Sequence, residues 1–369
     1  MKIAFFLSQY GQGGVERMLI NTARGLAERG HEVDYLCPAD GAFLDGLPES
    51  IRRRPLPMGS RARRRALATY MADEQCDFVI VGKDDDAASA LAARRRSRSN
   101  VRVIVRPGTT ISRRLAERSK WKRWRTYRAL RRIYAAADGI VANSTGVRDD
   151  IADITGVPAA KIFLVRNPVI TPDFHGAATG EPPHSWLMPG EPPVLLGAGG
   201  LRRQKDFATL VDAFARVRSD REVRLIILGT GHLEGALGAQ ARSMGVVDDV
   251  ALPGFVENPY PWMKHASLFV LSSLWEGSPN VLTEALALGT PVVSTDCPSG
   301  PQEILQGGRY GCLTPPGDAQ AMAEAIRHTL DAPLPAATLQ EATAEYTMER
   351  NAAGYEAILT EIHARVRSG

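Results

Sequence analysis

Short apolar runs bounded by polar or small residues recur along this chain, with amphipathic stretches of helical period between them. A strand ending at Phe6, a loop from Ser8 to Gly14, a helix with Val15, Met18, Leu19, Ala23, Leu26 and Ala27 on one side, and a strand from Glu32 to Cys37 make a first βαβ unit. Further strands are predicted at Phe78 to Val81, Val101 to Val105, Gly139 to Ala142 and Ile162 to Val165. Pro172, Pro182, Pro183, Pro189, Pro192 and Pro193 then mark an interdomain linker. The second half repeats the alternation, with strands at Val194 to Leu196, Val223 to Leu228, Ser267 to Leu271 and Pro291 to Ser294. The pattern predicts an α/β protein of two doubly wound parallel sheets, with ligands bound outside the carboxyl ends of the strands. The expected divisions are a first domain at 1–168, a linker at 169–193, a second domain at 194–347 and a last helix at 348–369. A length of 369 residues suits two cores.

The stretch Glu276-Gly277-Ser278-Pro279-Asn280-Val281-Leu282-Thr283-Glu284 carries the sharpest chemical signal. Ser278 is expected to cap a helix, Pro279 to take its first position, and Gly289 followed by Pro291 to close it. Val281, Leu282, Ala285, Leu286, Ala287 and Leu288 leave no polar face, so Glu284 is a carboxylate on an apolar helix. Burying it without hydrogen-bond donors is costly. Ligand hydroxyls would supply donors, while the N–H groups of Asn280, Val281 and Leu282 could receive a phosphate. Hydroxyls and phosphate together point to a nucleotide sugar.

Two glycine-rich loops follow predicted strands. Gly11-Gln12-Gly13-Gly14-Val15-Glu16-Arg17 departs from a dinucleotide fingerprint because Glu16 stands in the place of the third glycine. In Gly199-Gly200-Leu201-Arg202-Arg203-Gln204-Lys205-Asp206-Phe207, a lysine just before a helix suits a diphosphate.

These motifs resemble those of the retaining glycosyltransferases of family 4, and the resemblance spans nearly the whole chain. Glu276 and Glu284 match the family's E-x7-E signature, and the block continues through Ala285-Leu286-Ala287-Leu288-Gly289-Thr290-Pro291-Val292-Val293-Ser294-Thr295. The resemblance implies the GT-B fold, two Rossmann-like domains facing a central cleft, with the last helix crossing back to the first domain. It implies that Glu276 faces the donor sugar and Glu284 the ribose hydroxyls. Gly13 and Gly14 would face the cleft, and Glu16 and Arg17 would orient the loop or the acceptor. Lys205 matches a lysine that binds the donor diphosphate and, with Glu276, is assigned to catalysis. Gly199, Ser278, Asn280, Val281 and Leu282 complete the expected donor site, and Val256 in Pro253-Gly254-Phe255-Val256-Glu257-Asn258 would meet the base through its backbone. The loop Cys297-Pro298-Ser299-Gly300-Pro301-Gln302-Glu303 is a further candidate. Two positions depart from the family: Gly200 replaces an arginine, for which Arg202 or Arg203 would compensate, and Gly108 replaces a histidine, leaving a backbone carbonyl to approach the sugar.

Charge adds a partner. The net charge is +4, yet residues 1–170 hold 31 Lys+Arg against 18 Asp+Glu, while the remainder holds 14 against 23. An acidic partner for the first half is expected. Arg52-Arg53-Arg54, Arg63-Arg64-Arg65, Arg94-Arg95-Arg96 and Lys120 to Arg128 all contribute. On a helical wheel Trp124, Tyr127, Leu130 and Tyr134 fall on one side and Lys122, Arg125, Arg128 and Arg132 largely on the other, an interfacial pattern suited to an anionic membrane. No nucleic-acid motif occurs. No His/Cys cluster calls for a metal, and no metal or cofactor is expected beyond the nucleotide sugar as co-substrate. Cys37, Cys76, Cys297 and Cys312 are scattered, which fits reduced thiols in the cytoplasm. The expected activity is transfer of a sugar from a nucleoside diphosphate sugar, UDP favoured over GDP, to a hydroxyl of a lipid-linked or growing glycan in cell-surface polysaccharide synthesis. The alternatives are a nucleotide-sugar epimerase of similar fold and a non-catalytic nucleotide-binding or membrane-surface protein.

Overall fold

A computed structural model describes residues 1–8, 13–38, 47–57 and 59–367, so Gly11 and Gln12 of the first glycine loop lie outside the described residues. The chain divides into two compact units, Met1–Thr171 with Tyr346–Gly369, and Pro172–Glu345.

Among the described residues, the sheet of the first unit has seven strands: β1 (Lys2–Phe6), β2 (Glu32–Cys37), β3 (Ile51–Pro55), β4 (Phe78–Val81), β5 (Arg102–Val105), β6 (Gly139–Ala142) and β7 (Ile162–Leu164). Their order is β3-β2-β1-β4-β5-β6-β7, all parallel, with Phe5 of β1 level with Tyr35 on one side and Ile80 on the other. Strands such as Phe78–Val81 are apolar at every position because helices cover both faces. Leu67, Leu91, Leu130, Tyr134 and Ile151 pack one face; Leu19, Leu26, Tyr355, Leu359 and Ile362 pack the other. The last three belong to the C-terminal helix Met348–Arg367, which lies in the first unit against Gly14–Glu28. A Cβ on Gly25 would stand 2.8 Å from the Cβ of Ala352, so that glycine permits the close helix contact.

The strand β3 falls on one of the arginine clusters. Its side chains are held by carboxylates: Arg52 Nε lies 2.8 Å from Asp34 and Arg54 Nη2 2.8 Å from Glu74. Arg94 likewise meets Asp138 at 2.5 Å, and Arg63 donates to the Ser8 carbonyl at 2.7 Å. These four arginines therefore have structural partners. The helix Lys120–Ala136 corrects the wheel: Leu130 and Tyr134 enter the core, whereas Trp121 and Trp124 are 62% and 56% exposed and share the outer face with arginines.

The second unit contains, among the described residues, a six-stranded parallel sheet: β8 (Val194–Ala198), β9 (Arg224–Leu228), β10 (Val250–Gly254), β11 (Leu268–Leu271), β12 (Val292–Thr295) and β13 (Cys312–Thr314), ordered β10-β9-β8-β11-β12-β13. Leu210, Phe214 and Val217 of the helix Phe207–Arg218, with Met322 and Ile326 of Ala319–Asp331, cover one face. The proline-rich segment 172–193 packs within this unit. Phe174 is buried with its ring centroid 4.7 Å from that of Tyr260, Asn258 Nδ2 donates to Ala177 O at 2.7 Å, and Arg224 stacks over Trp186 at 5.0 Å.

Candidate functional site

In the second sheet the chain leaves β8 toward β9 on one side and returns through β11 on the other, so the carboxyl ends of β8 and β11 flank the topological switch point. The loop after β8 ends in a tight turn, Arg203–Lys205, and the loop after β11 carries Glu276. Lys205 Nζ meets Glu276 Oε1 at 2.7 Å with both side chains nearly buried, and Ser273 Oγ donates to the same oxygen at 2.7 Å. The lysine is fixed from its backbone as well, because its carbonyl accepts Ser272 Oγ at 2.7 Å. Gln204 ties the loops further, donating to Trp275 O at 2.9 Å and accepting Leu274 N at 2.8 Å. An ammonium and a carboxylate held 71 residues apart in sequence thus stand at one point of the sheet edge.

Glycines make this approach possible. Gly199 has φ +151° and lies along the Lys205 stem, where a Cβ would come 2.9 Å from Cε. At Gly229, φ +130°, a Cβ would stand 2.0 Å from the Gly199 carbonyl oxygen, and its N–H donates to Gly254 O at 2.7 Å. The loops after β8, β9 and β10 are therefore bound in series. Gly229→Ala is expected to destabilise the protein by about 2 kcal/mol or more, through combined backbone strain and overpacking; a melting curve indistinguishable from wild type would contradict this contact.

The helix Asn280–Ala287 starts differently from the sequence expectation. Pro279 is the cap residue rather than the first helical position, with ψ 105°, and no side chain caps the helix. The Pro279 carbonyl instead accepts Leu282 N at 3.2 Å, so that N–H is engaged within the helix start. The reason lies in the next loop: Ser299 Oγ donates to Gly277 O at 2.9 Å, and a Cβ at Gly300 would meet Pro279 Cδ at 2.6 Å, so this loop packs directly against the segment that leaves Pro279 extended. Ser278 is buried, Asn280 and Val281 are half-buried, and Glu284 is wholly buried. Burial first, then the charge of Glu276, pushes the Cys297 thiol up to about 12, keeping it protonated. Val256 is half-buried in the loop beyond β10.

Arg202 and Arg203 diverge. The Arg202 side chain runs past Gly200, its Nε 3.5 Å from where a Cβ would stand. Burial raises the Asp206 carboxyl above its usual pKa, and hydrogen bonds from Thr209 and the charge of Arg203 only partly offset this.

In the first sheet β1 is flanked by β2 and β4, so the switch point lies at the carboxyl ends of β1 and β4. Gly13 and Gly14 are exposed at the start of the first helix. Glu16 is buried and accepts Lys83 Nζ at 2.8 Å, a pairing made by the β1–β4 neighbourhood. Arg17 N reaches Gly13 O at 3.5 Å. Gly108 O accepts Asn143 Nδ2 at 3.4 Å, and a Cβ on Gly108 would meet Arg106 Nη1 at 3.1 Å. Arg106 is buried, which lowers its pKa, and donates to Asn167 Oδ1 and to the Tyr355 hydroxyl. Its guanidinium thus flanks the position where family members carry a histidine. Sequence reading missed Lys83, Arg106 and Asp86. Asp86 is buried, accepts Ser8 N at 3.3 Å, and is raised above the usual carboxylate pKa by burial. The only signal for Lys83 and Asp86 was their place after a predicted strand. Among the described residues, no group of three or more His, Cys, Asp or Glu is placed to hold a metal ion.

Known proteins match this arrangement. A model described as Glycosyltransferase Family 4 matches residues 12–171, and one described as Glycosyl transferases group 1 matches residues 192–332. An uncharacterized glycosyltransferase of Methanocaldococcus jannaschii is 40% identical over 137 residues, which are 33% of this chain and 34% of that protein, so the chain spans about a third of that relative's length. A lipopolysaccharide core biosynthesis glycosyltransferase of Rhizobium meliloti is 27% identical over 330 residues, 88% of each chain. The crystal structure of Anabaena HepE in complex with UDP and glucose superposes with a TM-score of 0.78 at 20% identity, covering 98% of this chain and 100% of that one, and shows the same fold. With two parallel-sheet Rossmann-like units and both family models matched in chain order, this protein belongs to the family 4, group 1 glycosyltransferases of GT-B fold.

Proposed function

We propose that the protein transfers a sugar, with retention of configuration, from a nucleoside diphosphate sugar to a hydroxyl of a lipid-linked or growing glycan in cell-surface polysaccharide synthesis. The observation that carries this reading is the Lys205–Glu276 pair at the switch point of the second sheet. In the donor complex the Lys205 ammonium stabilises the leaving diphosphate, aided by Arg202 and the helix start at Asn280 and Val281, with no metal required. Gly199, Arg203, Ser278 and Leu282 shape that diphosphate site, and the Val256 backbone meets the base. Glu276 is freed to face the sugar, and Glu284 receives the ribose. Gly13, Gly14, Glu16, Arg17 and Gly108, with Lys83 beside Glu16, bind the acceptor. UDP is the favoured nucleotide, a choice supported by the UDP complex of HepE. The basic first unit suits an acceptor presented at an anionic membrane surface on its cytoplasmic side. Among the described residues, no helix is long and apolar enough to cross a membrane.

Thermal-shift titration with UDP, GDP, ADP and their sugar conjugates tests the donor site. A selective ligand at about 100 times its Kd stabilises by roughly 2.7 kcal/mol; no shift with any of them would defeat the reading. Within the same assay, Arg202→Ala is expected to weaken the selected nucleotide about tenfold and Arg203→Ala by much less, because charge-assisted phosphate contacts contribute about 1.5–3 kcal/mol each and only Arg202 lies at the Gly200 position. The reverse order would reassign the compensating arginine.

A further inference from the structure

The outer face of the helix Lys120–Ala136 is both basic and aromatic. Its sequence, KWKRWRTYRALRRIYAA, has seven basic residues and no acidic one. Trp121 and Trp124 are its two most exposed large apolar side chains, and each carries an arginine on its ring: Arg125 lies 4.6 Å from the Trp121 centroid and Arg128 5.7 Å from that of Trp124. Trp121, Arg125, Arg128 and Arg132 recur at i, i+4, i+7 and i+11, one stripe of the helix, opposite the buried Leu130 and Tyr134. Whereas Arg52, Arg54 and Arg94 are bound to carboxylates, Lys122, Arg125, Arg128 and Arg132 have no carboxylate within ion-pair distance among the described residues. Beside the helix start lies an open hollow of about 380 Å³ lined by Arg114, Glu117, Arg118, Ser119 and Lys122.

We infer that this face, with the hollow beside it, docks on an anionic phospholipid surface. Indole rings settle at the level of lipid headgroups, where one side is apolar and the other wet. A guanidinium stacked on such a ring reaches the same depth and binds lipid phosphates bidentately. The hollow admits further phosphates beside Arg118 and Lys122. Uncompensated charge of one sign on an acid-free helix complements an anionic leaflet, at about 1 kcal/mol per basic residue. The inference deepens the proposed membrane-presented acceptor by naming the surface, and it stands or falls apart from the donor site.

The test uses full-length protein and vesicles of phosphatidylcholine with or without phosphatidylglycerol, read by co-sedimentation and tryptophan emission. Wild type is expected to bind only the anionic vesicles, more weakly as salt rises, with a blue-shifted emission. Arg125→Gln with Arg128→Gln and Arg132→Gln should reduce partitioning on the order of 100-fold. Trp121→Ala with Trp124→Ala should abolish the emission shift and reduce binding about tenfold. Nucleotide-induced stabilisation should be unchanged in both variants, which shows that they are folded and keeps the donor site separate. Vesicle binding that is absent in wild type or unaltered in both variants overturns the inference. So does a wild-type dimer that the tryptophan substitutions convert to monomer, because the face would then serve self-association.

Discussion

Replacing Lys205 with methionine is expected to lower kcat/KM for sugar transfer by about two to three orders of magnitude, the range seen when one preorganised charge-stabilising donor is removed. The same substitution strips Glu276 of its cation in a nearly buried position, where breaking a pair costs roughly 3 kcal/mol. These two effects separate in a cycle. Glu276→Gln combined with Lys205→Met removes the orphaned charge, and the amide can still accept from Ser273 Oγ, so the melting temperature should return most of the way to wild type. Turnover should not return. A double variant that recovers both would make the pair a structural tie and nothing more. One that recovers neither would leave the loss of activity attributable to misfolding, and would refute the separation of the two roles.

That pair shows where sequence reading succeeds and where it stops. Strands such as Phe78–Val81 and Gly139–Ala142 were legible because a parallel strand covered on both faces is apolar throughout. β3 was not, since Ile51–Pro55 is an edge strand whose arginines look like a solvated cluster until Glu32, Asp34 and Glu74 are brought beside them. β10 and β13 lie at the edges of the second sheet, and β13 is only 3 residues long, too short for a periodic signal. Glu276 and Lys205 were readable as motif residues, but their contact is a product of the β8–β11 neighbourhood. Lys83 beside Glu16 is the same case at the β1–β4 edge, without a motif to announce it.

The helix start at Asn280 failed for a local reason with a distant cause. Serine followed by proline reads as cap and first turn, yet Ser299 holds the Gly277 carbonyl and Gly300 packs against Pro279, and the cap falls on Pro279. The basic helix failed because a wheel cannot say which aromatic residues the core will take. Tyr134 entered it, and Trp121 and Trp124 did not.

Glu284→Gln is expected to weaken donor binding by about 10- to 100-fold, the loss that follows when hydrogen bonds to a charged acceptor become neutral ones. The carboxylate is one turn from the helix start at Asn280, and helical side chains lean toward the N-terminus, so Glu284 leans toward the proposed phosphate end of the site. It is wholly buried, flanked by Leu282, Ala285 and Leu286 that are equally buried, and a carboxylate there is tolerated only with hydrogen-bond donors. If ligand hydroxyls are among those donors, wild type must discriminate against donors lacking a ribose hydroxyl. A site built to bind a hydroxyl rejects the analogue without one far more strongly than an apolar pocket rejects a missing methylene. Calorimetric titration of wild type and Glu284→Gln with the selected nucleotide and its 2′- and 3′-deoxy forms therefore has a specific expectation. The substitution and the missing hydroxyl should be non-additive, each removing most of the effect of the other. Equal weakening of the ribo and deoxy forms would make Glu284 a structural carboxylate, and full retention of donor binding would remove it from the site.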